Sequence, residues 1–419
     1  MDGTLLAVGS IVTRLQRRAL AFVTVLGMAC GCASARSPHV ASSPPSAAVR
    51  LTLLDTVVMP VVTTPPEGRR ESWFGSLSGL ARDPRSGRYV AVIDDRFPSR
   101  LAWLDITADN GRLFVRRGAV SPTHPAPGVD PRLVVGADLE AIVSLDDGTW
   151  IASEEGHEST GKVGEPPAGL WQPALLTLTS DFTVTHVQLW PERFTIGPAS
   201  GGIRDNQGFE SLTRTPDGRL ITGLEQPLFA DLPAPFRNGH PFGGGRGGPS
   251  RLVELVEKDG QWQPRREWVY PLSPTPTRPG FEGICDDGEN GLTDLLALDD
   301  TRLIALERAC LQKPGTRMAR NSARLYLVDV SRATDVADHV GEAIALATPV
   351  GKTLLLDFDA LVERFPRALT NLDNFEALAF GPSLPDGRRT LLVMSDDNFR
   401  ATQNTVFVWL GIEERDGKD

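Results

Sequence analysis

A hairpin that recurs five times, with polar or acidic residues at both ends, constrains this chain more than any other feature. Glu140-Ala141-Ile142 runs through Asp147-Gly148 to Trp150-Ile151-Ala152-Ser153 and stops at Glu154-Glu155. Glu210-Ser211-Leu212 turns at Asp217-Gly218, continues as Leu220-Ile221-Thr222 and ends at Glu225. In both, the second acid falls 15 positions after the first. Ser78-Gly79-Leu80 opens a copy that ends at Asp94-Asp95, and Asp294-Leu295-Leu296 opens one that ends at Glu307. The last copy runs from Glu376-Ala377-Leu378 to Asp396-Asp397. A short apolar strand, an Asp-Gly type turn and a second apolar strand spell a β-hairpin.

The copies start at residues 78, 140, 210, 294 and 376, at spacings of 62, 70, 84 and 82. Each spacing leaves room for two further strands, and segments such as Leu175-Leu176-Thr177-Leu178 and Leu325-Tyr326-Leu327-Val328 fill it. Four strands per period is the arithmetic of a propeller, whereas solenoid repeats are shorter and more uniform. The expectation is an all-β fold, a β-propeller of five or six four-stranded blades, with six preferred. With 41 Gly and 33 Pro in 419 residues, a helical bundle is excluded. The long Gly/Pro/His-rich insertions, 156–169 and 231–250, belong to loops on one face.

Repetition about an axis gathers the hairpin-end acids at one mouth of a central channel. Glu140, Glu210 and Glu376 are the candidate catalytic acids. Asp94, Glu155, Glu225, Glu307 and Asp396 are the candidate metal ligands. Arg96 and Arg308, near the hairpin ends, are placed to hold an anionic substrate. Like charges at close range must take up protons, pair with Arg or bind a cation. An oxygen-only donor set points to Ca²⁺ rather than Zn²⁺. Acids that tie blades together are the competing structural reading. His157 and His240, in the large insertions, are within reach of the acids at the channel mouth, but each reads as a solvated loop residue. Asp286-Asp287-Gly288 opens like a calcium loop but fails the pattern at Gly288 and Ala297.

Arg14, Arg17 and Arg18 precede an apolar run, Ala19 to Ala29, followed by Cys30-Gly31-Cys32-Ala33-Ser34-Ala35. These are the parts of an export signal. Residues 1–35 are assigned to it, 36–50 to a Ser/Pro/Ala linker and 51–412 to the propeller. Cys30 or Cys32 is a lipidation candidate, and cleavage after Ala35 is the alternative. Either route places the protein outside the cytoplasm, in the bacterial periplasm or as an outer-membrane lipoprotein. The membrane is then met through the N-terminal lipid alone. Cys285 and Cys310 remain, and in an oxidising compartment they pair as one disulfide. An acidic excess, Asp+Glu 53 against Lys+Arg 43, leaves no footprint for nucleic acid. A monomer is expected.

Several of these segments resemble a known family. Asp138-Leu139-Glu140-Ala141-Ile142, Asn206-Gln207-Gly208-Phe209-Glu210-Ser211-Leu212, Leu303-Ile304-Ala305-Leu306-Glu307-Arg308 and Asn374-Phe375-Glu376-Ala377-Leu378 are similar to segments of phytase-like bacterial proteins with esterase-like activity. So is the ending Leu384-Pro385-Asp386-Gly387 to Ser395-Asp396-Asp397-Asn398-Phe399, and the likeness runs from about Ser76 to Trp409. It implies an exported or lipid-anchored propeller that hydrolyses a small anionic ester or phosphoester through its acids. The competing readings are a non-catalytic envelope propeller that binds a ligand or partner at the same mouth, and a calcium-stabilised scaffold.

Overall fold

The computed structural model describes residues 48–162, 166–197, 201–232, 245–285, 289–366, 369 and 371–415. The export signal with Cys30 and Cys32, most of the linker, His240 and Asp286-Asp287-Gly288 lie outside the described residues. No helix among the described residues is long and apolar enough to cross a membrane.

Five antiparallel sheets stand around one axis. From the axis outward, blade 1 consists of Leu77–Arg82, Tyr89–Ile93, Arg100–Asp109 and Arg112–Pro122. Blade 2 has Leu139–Ser144, Trp150–Glu154, Ala174–Leu178 and Thr183–Leu189, with His124–Pro125 added in parallel at its edge. Blade 3 has Phe209–Arg214, Leu220–Leu224, Pro249–Lys258 and Gln261–Pro271. Blade 4 has Gly291–Ala297, Arg302–Gln312, Ala319–Asp329 and Gly351–Asp357. Blade 5 takes Asn374–Phe380, Thr390–Asp396 and Asn404–Arg415 from the end of the chain and Ala48–Pro60 from its beginning. That outer strand runs from Ala48 opposite Arg415 to Pro60 opposite Asn404, and it closes the ring. The five innermost strands contact one another in cyclic order. The count is five, not the preferred six, because the five hairpins already complete the circle.

Each blade buries both faces, so the second strands of blades 1, 2, 3 and 5 are buried along their whole length rather than alternating. In blade 1, Tyr89, Ala91 and Ile93 pack toward blade 5, while Val90 and Val92 pack toward blade 2. Side chains alternate with period two along a strand, so one residue of offset exchanges the neighbouring blade. Five apolar cores result, one between each pair of adjacent blades. Cys285 and Cys310 form a disulfide that fastens the approach to blade 4 onto its second strand.

The innermost strands share a distortion: each pairs with its neighbour through a bulge. The register slips between Leu77 and Leu80, Leu139 and Ile142, Phe209 and Ser211, Leu292 and Asp294, and Phe375 and Ala377. The slips bring Ser78, Glu140, Glu210, Thr293 and Glu376 to equivalent positions. Asp294, read from sequence as the start of the fourth repeat, lies one residue past that position. Its buried carboxylate accepts from the backbone N–H of Leu295 and, across the blade boundary, of Leu378. It ties strands together and takes no part in the mouth.

Candidate active site

The mouth is built from two tiers. The first is the bulge tier just described, in which Glu140, Glu210 and Glu376 are buried. The second tier is the residue in or just past each second strand that lies opposite the entry to the innermost strand. In blades 1 to 3 its backbone N–H donates to that entry: Asp94 to Ser76 O (2.7 Å), Glu155 to Asp138 O (3.1 Å) and Glu225 to Gly208 O (2.7 Å). In blades 4 and 5 the matching pairs are Gly291 with Arg308 and Asn374 with Asp396. The second tier is therefore Asp94, Glu155, Glu225, Arg308 and Asp396.

Glu307 is absent from it. Leu303 and Ala305 face blade 3, and period-two alternation turns Glu307 the same way, away from the channel. Its buried carboxylate accepts from Tyr270 Oη (3.0 Å) and Asn290 Nδ2 (2.8 Å) and pairs with Lys352 Nζ. The metal-ligand role expected of Glu307 is thus corrected: it forms an ion pair within blade 4 and a hydrogen bond to Tyr270 of blade 3, and Arg308 holds the mouth position.

Second-tier residues reach the bulge residue of the next blade. Arg308 Nη2 donates to Glu376 Oε1 at 2.8 Å, where Asn374 Nδ2 also donates at 2.6 Å. Arg308 Nη1 lies 3.8 Å from Glu225 Oε1. Here the tiers are complementary. In the other half of the ring acid meets acid. One oxygen each of Asp94, Asp138 and Glu140 lie within 4.8 Å of one another, as do oxygens of Glu140, Glu155 and Glu210. Arg96 Nε donates to Asp138 Oδ2 at 2.6 Å and offsets the first group. Among the described residues no Arg hydrogen-bonds the second group. Ser78 Oγ donates to Glu140 Oε2 at 2.8 Å, and the Gly208 N–H donates to Glu155 Oε1 at 3.1 Å.

Electrostatics follow from this placement. Burial, then the charges of Glu210 and Asp94, push Glu140 well above the usual carboxylate range. Glu155 is raised by burial and then by Glu140. Glu210 is raised by burial and then by Glu155 and Glu225, since carboxyls this close resist ionising together. Asp94 is raised by burial and Asp138, and Asp396 by burial and Glu376. For Glu376, burial raises the pKa and Arg308 opposes it.

Of the acids and arginines expected at the mouth, all but Glu307 meet there. Three residues not chosen from sequence join them. Asp138 lies beside Arg96, and Glu154 is buried on the blade 1 side of its strand. His157 is buried rather than solvated. Its Nδ1 is 3.7 Å from both Asp138 Oδ2 and Glu154 Oε1, and its ring stacks on Trp171 at 5.7 Å. The short hairpin pairing His157–Ser159 with Gly169–Trp171 buries it, a contact no local pattern announces.

Fold and site together define a five-bladed propeller with a buried, carboxyl-lined mouth. The chain belongs to the phytase-like family, described by the esterase-like activity of phytase, whose model matches residues 72–399. No curated protein matches it at a significant level. Among solved structures it is similar to an endo-arabinase from Bacteroides thetaiotaomicron. That likeness has 11% identity and a TM-score of 0.42, covering 87% of this chain and 100% of that one. It is also similar to a xylan β-1,4-xylosidase from Bacillus halodurans, at 12% identity and a TM-score of 0.39, over 82% and 53% of the two chains. A gluconolactonase from Xanthomonas campestris shows 10% identity and a TM-score of 0.32, over 80% and 72%.

Proposed function

We propose that the chain is an exported, cation-assisted hydrolase of esters or phosphoesters, acting at the mouth of its channel. The observation that carries this reading is the contrast between the two halves of the ring. Where blade 4 presents Arg308, Glu376 is neutralised within the protein. Where blade 2 presents Glu155 to Glu210 and Glu140, three carboxyls converge, and no arginine of the described residues hydrogen-bonds them. An architectural role needs no such excess of buried acid, since leaving buried charge unpaired costs stability.

The donor set fits Ca²⁺, a hard cation that takes carboxylate and water oxygens. Glu140, Glu155 and Glu210 would hold it, so the division between catalytic and ligating acids expected from sequence shifts. Glu140 and Glu210 join Glu155 as ligands, and Glu376 remains to move protons. A bound cation would polarise a carbonyl or phosphoryl oxygen and acidify a water. Glu376 has a raised pKa and a fixed orientation from Arg308 and Asn374, which suits a general acid or base. Arg308 and Arg96 favour an anionic group at the mouth.

The test is turnover of a panel of phosphate and carboxylate esters with Ca²⁺ and with chelator. Glu210→Gln is expected to lose both cation binding and turnover. Glu376→Gln is expected to keep cation binding and lose turnover. A protein stabilised by Ca²⁺ that turns over no panel member is a binding propeller, and the hydrolase reading then fails.

A further inference from the structure

Beside the mouth lies a cleft of about 570 Å³ that the chemistry above leaves unused. Phe97, Leu133, Leu170, Trp171 and Leu189 contribute its apolar lining. Leu133 is 37% exposed, Leu170 51% and Leu189 54%, which is unusual for leucines grouped in one concavity of an acidic chain. Its volume lies in the range of small-molecule sites.

Its polar rim is already satisfied. Asp130 and Arg132, both in the lining, pair with each other at 2.7 Å. Gln172 Oε1 accepts from the Ile196 N–H at 2.9 Å. Among the described residues of the lining no charge is left over to hold a phosphate, so the cleft suits an uncharged, apolar group.

The cleft lies two stacked rings away from the acids. Trp171 lines it and stacks on His157, which lies 3.7 Å from Asp138 and from Glu154. Phe97, also in the lining, follows Arg96, the partner of Asp138. Gly136 lets Trp171 lie across the floor: a Cβ there would sit 2.7 Å from the Trp171 ring.

We infer that this cleft binds the apolar acyl or aryl part of an ester whose reacting group sits at the mouth. The substrate class is then a medium-chain or aromatic ester, not a polyphosphate. The inference rests on the hydrolase reading for its role, but the cleft itself is tested by binding. Each methylene buried there raises affinity roughly fourfold (about 0.8 kcal/mol).

Calorimetric titration of the wild type with octanoate and with acetate is the first arm. The second repeats it on the Leu170→Glu/Leu189→Glu variant, whose fold is checked by circular dichroism. Octanoate is expected to bind the wild type at least tenfold more tightly than acetate, and the variant is expected to lose that preference. In kinetics, para-nitrophenyl octanoate should exceed the acetate ester in kcat/KM by at least tenfold in the wild type and match it in the variant. Equal octanoate binding by both proteins overturns the inference. So does a wild-type dimer that the variant dissolves, because the cleft is then a contact between copies of this chain. If no ester is turned over yet octanoate binding follows the prediction, the hydrolase reading fails while the apolar site stands.

Discussion

Glu307 and Arg308 are adjacent in sequence and serve opposite faces of one strand, which shows how finely the mouth is specified at the residue scale. Glu307 is buried against Lys352, whose ammonium also donates to Pro271 O and Ser273 Oγ, both at 2.8 Å. All three ammonium protons are used, which marks a structural lysine. Lys352→Met leaves the buried Glu307 carboxylate with Arg324, 3.8 Å away, as its remaining cation, a change that costs up to about 3 kcal/mol. Urea unfolding should show that loss, and Glu307→Gln in the same background should recover much of it. The amide keeps a partner for Tyr270 and Asn290 without the charge. The converse holds at the mouth. Glu210→Gln removes a repelling charge from the Glu140–Glu155 group and should raise the melting temperature of the calcium-free protein by a few degrees. It should also abolish the rise produced by calcium. Glu376→Gln takes from Arg308 its nearer carboxylate, leaving Glu225 at 3.8 Å, and should lower the melting temperature while leaving the calcium response intact.

At the scale of elements, the innermost strand with its bulge is the repeating unit, and its tolerance is small. Gly79 illustrates the limit: a Cβ there would lie 2.6 Å from Glu140 O and 2.7 Å from Ala141 Cα, both backbone atoms of the next blade. Backbone cannot yield as a flexible side chain can. Gly79→Ala should therefore destabilise by about 1–3 kcal/mol, read as a lower urea midpoint at unchanged slope. The hairpins, their order and the closure of acids around one axis were legible in the sequence because strand, turn and strand leave a local pattern. The bulge was not, since an inserted residue has no signature of its own. In blade 4 it shifted the reading by one residue, to Asp294 and Glu307. The 15-residue offset seen in blades 2 and 3 held the remedy: counted from Thr293 it arrives at Arg308. Asp138, Glu154 and His157 escaped for another reason. Their roles come from neighbouring blades and from the Trp171 hairpin, which only the closed ring brings near.

For the whole molecule, stability is a balance between a carboxyl-rich centre and an ion-paired surface, and the two respond to pH with opposite sign. Asp105, hydrogen-bonded by Arg88 and Arg116, and Asp146, hydrogen-bonded by Arg214, have pKa values below the ordinary 3.8. Their contribution is present above that value and fades as pH falls through the lowered pKa. Glu140, Glu155 and Glu210 have folded pKa values raised above 4.5 by burial and by one another. What they contribute is complete below 4.5 and is lost as pH rises through those raised values. The calcium-free protein should thus be most stable in mildly acidic solution, with an acid limb set by the surface pairs and an alkaline limb set by the mouth. A cation held by the three glutamates compensates the charge that develops there, so calcium should flatten the alkaline limb and leave the acid limb unchanged. Glu140→Gln/Glu210→Gln should flatten the same limb without calcium. Melting temperatures of both proteins, measured from pH 4 upward with chelator and with calcium, decide the matter. An alkaline limb that survives both the cation and the double substitution would place the source of the pH dependence outside the mouth.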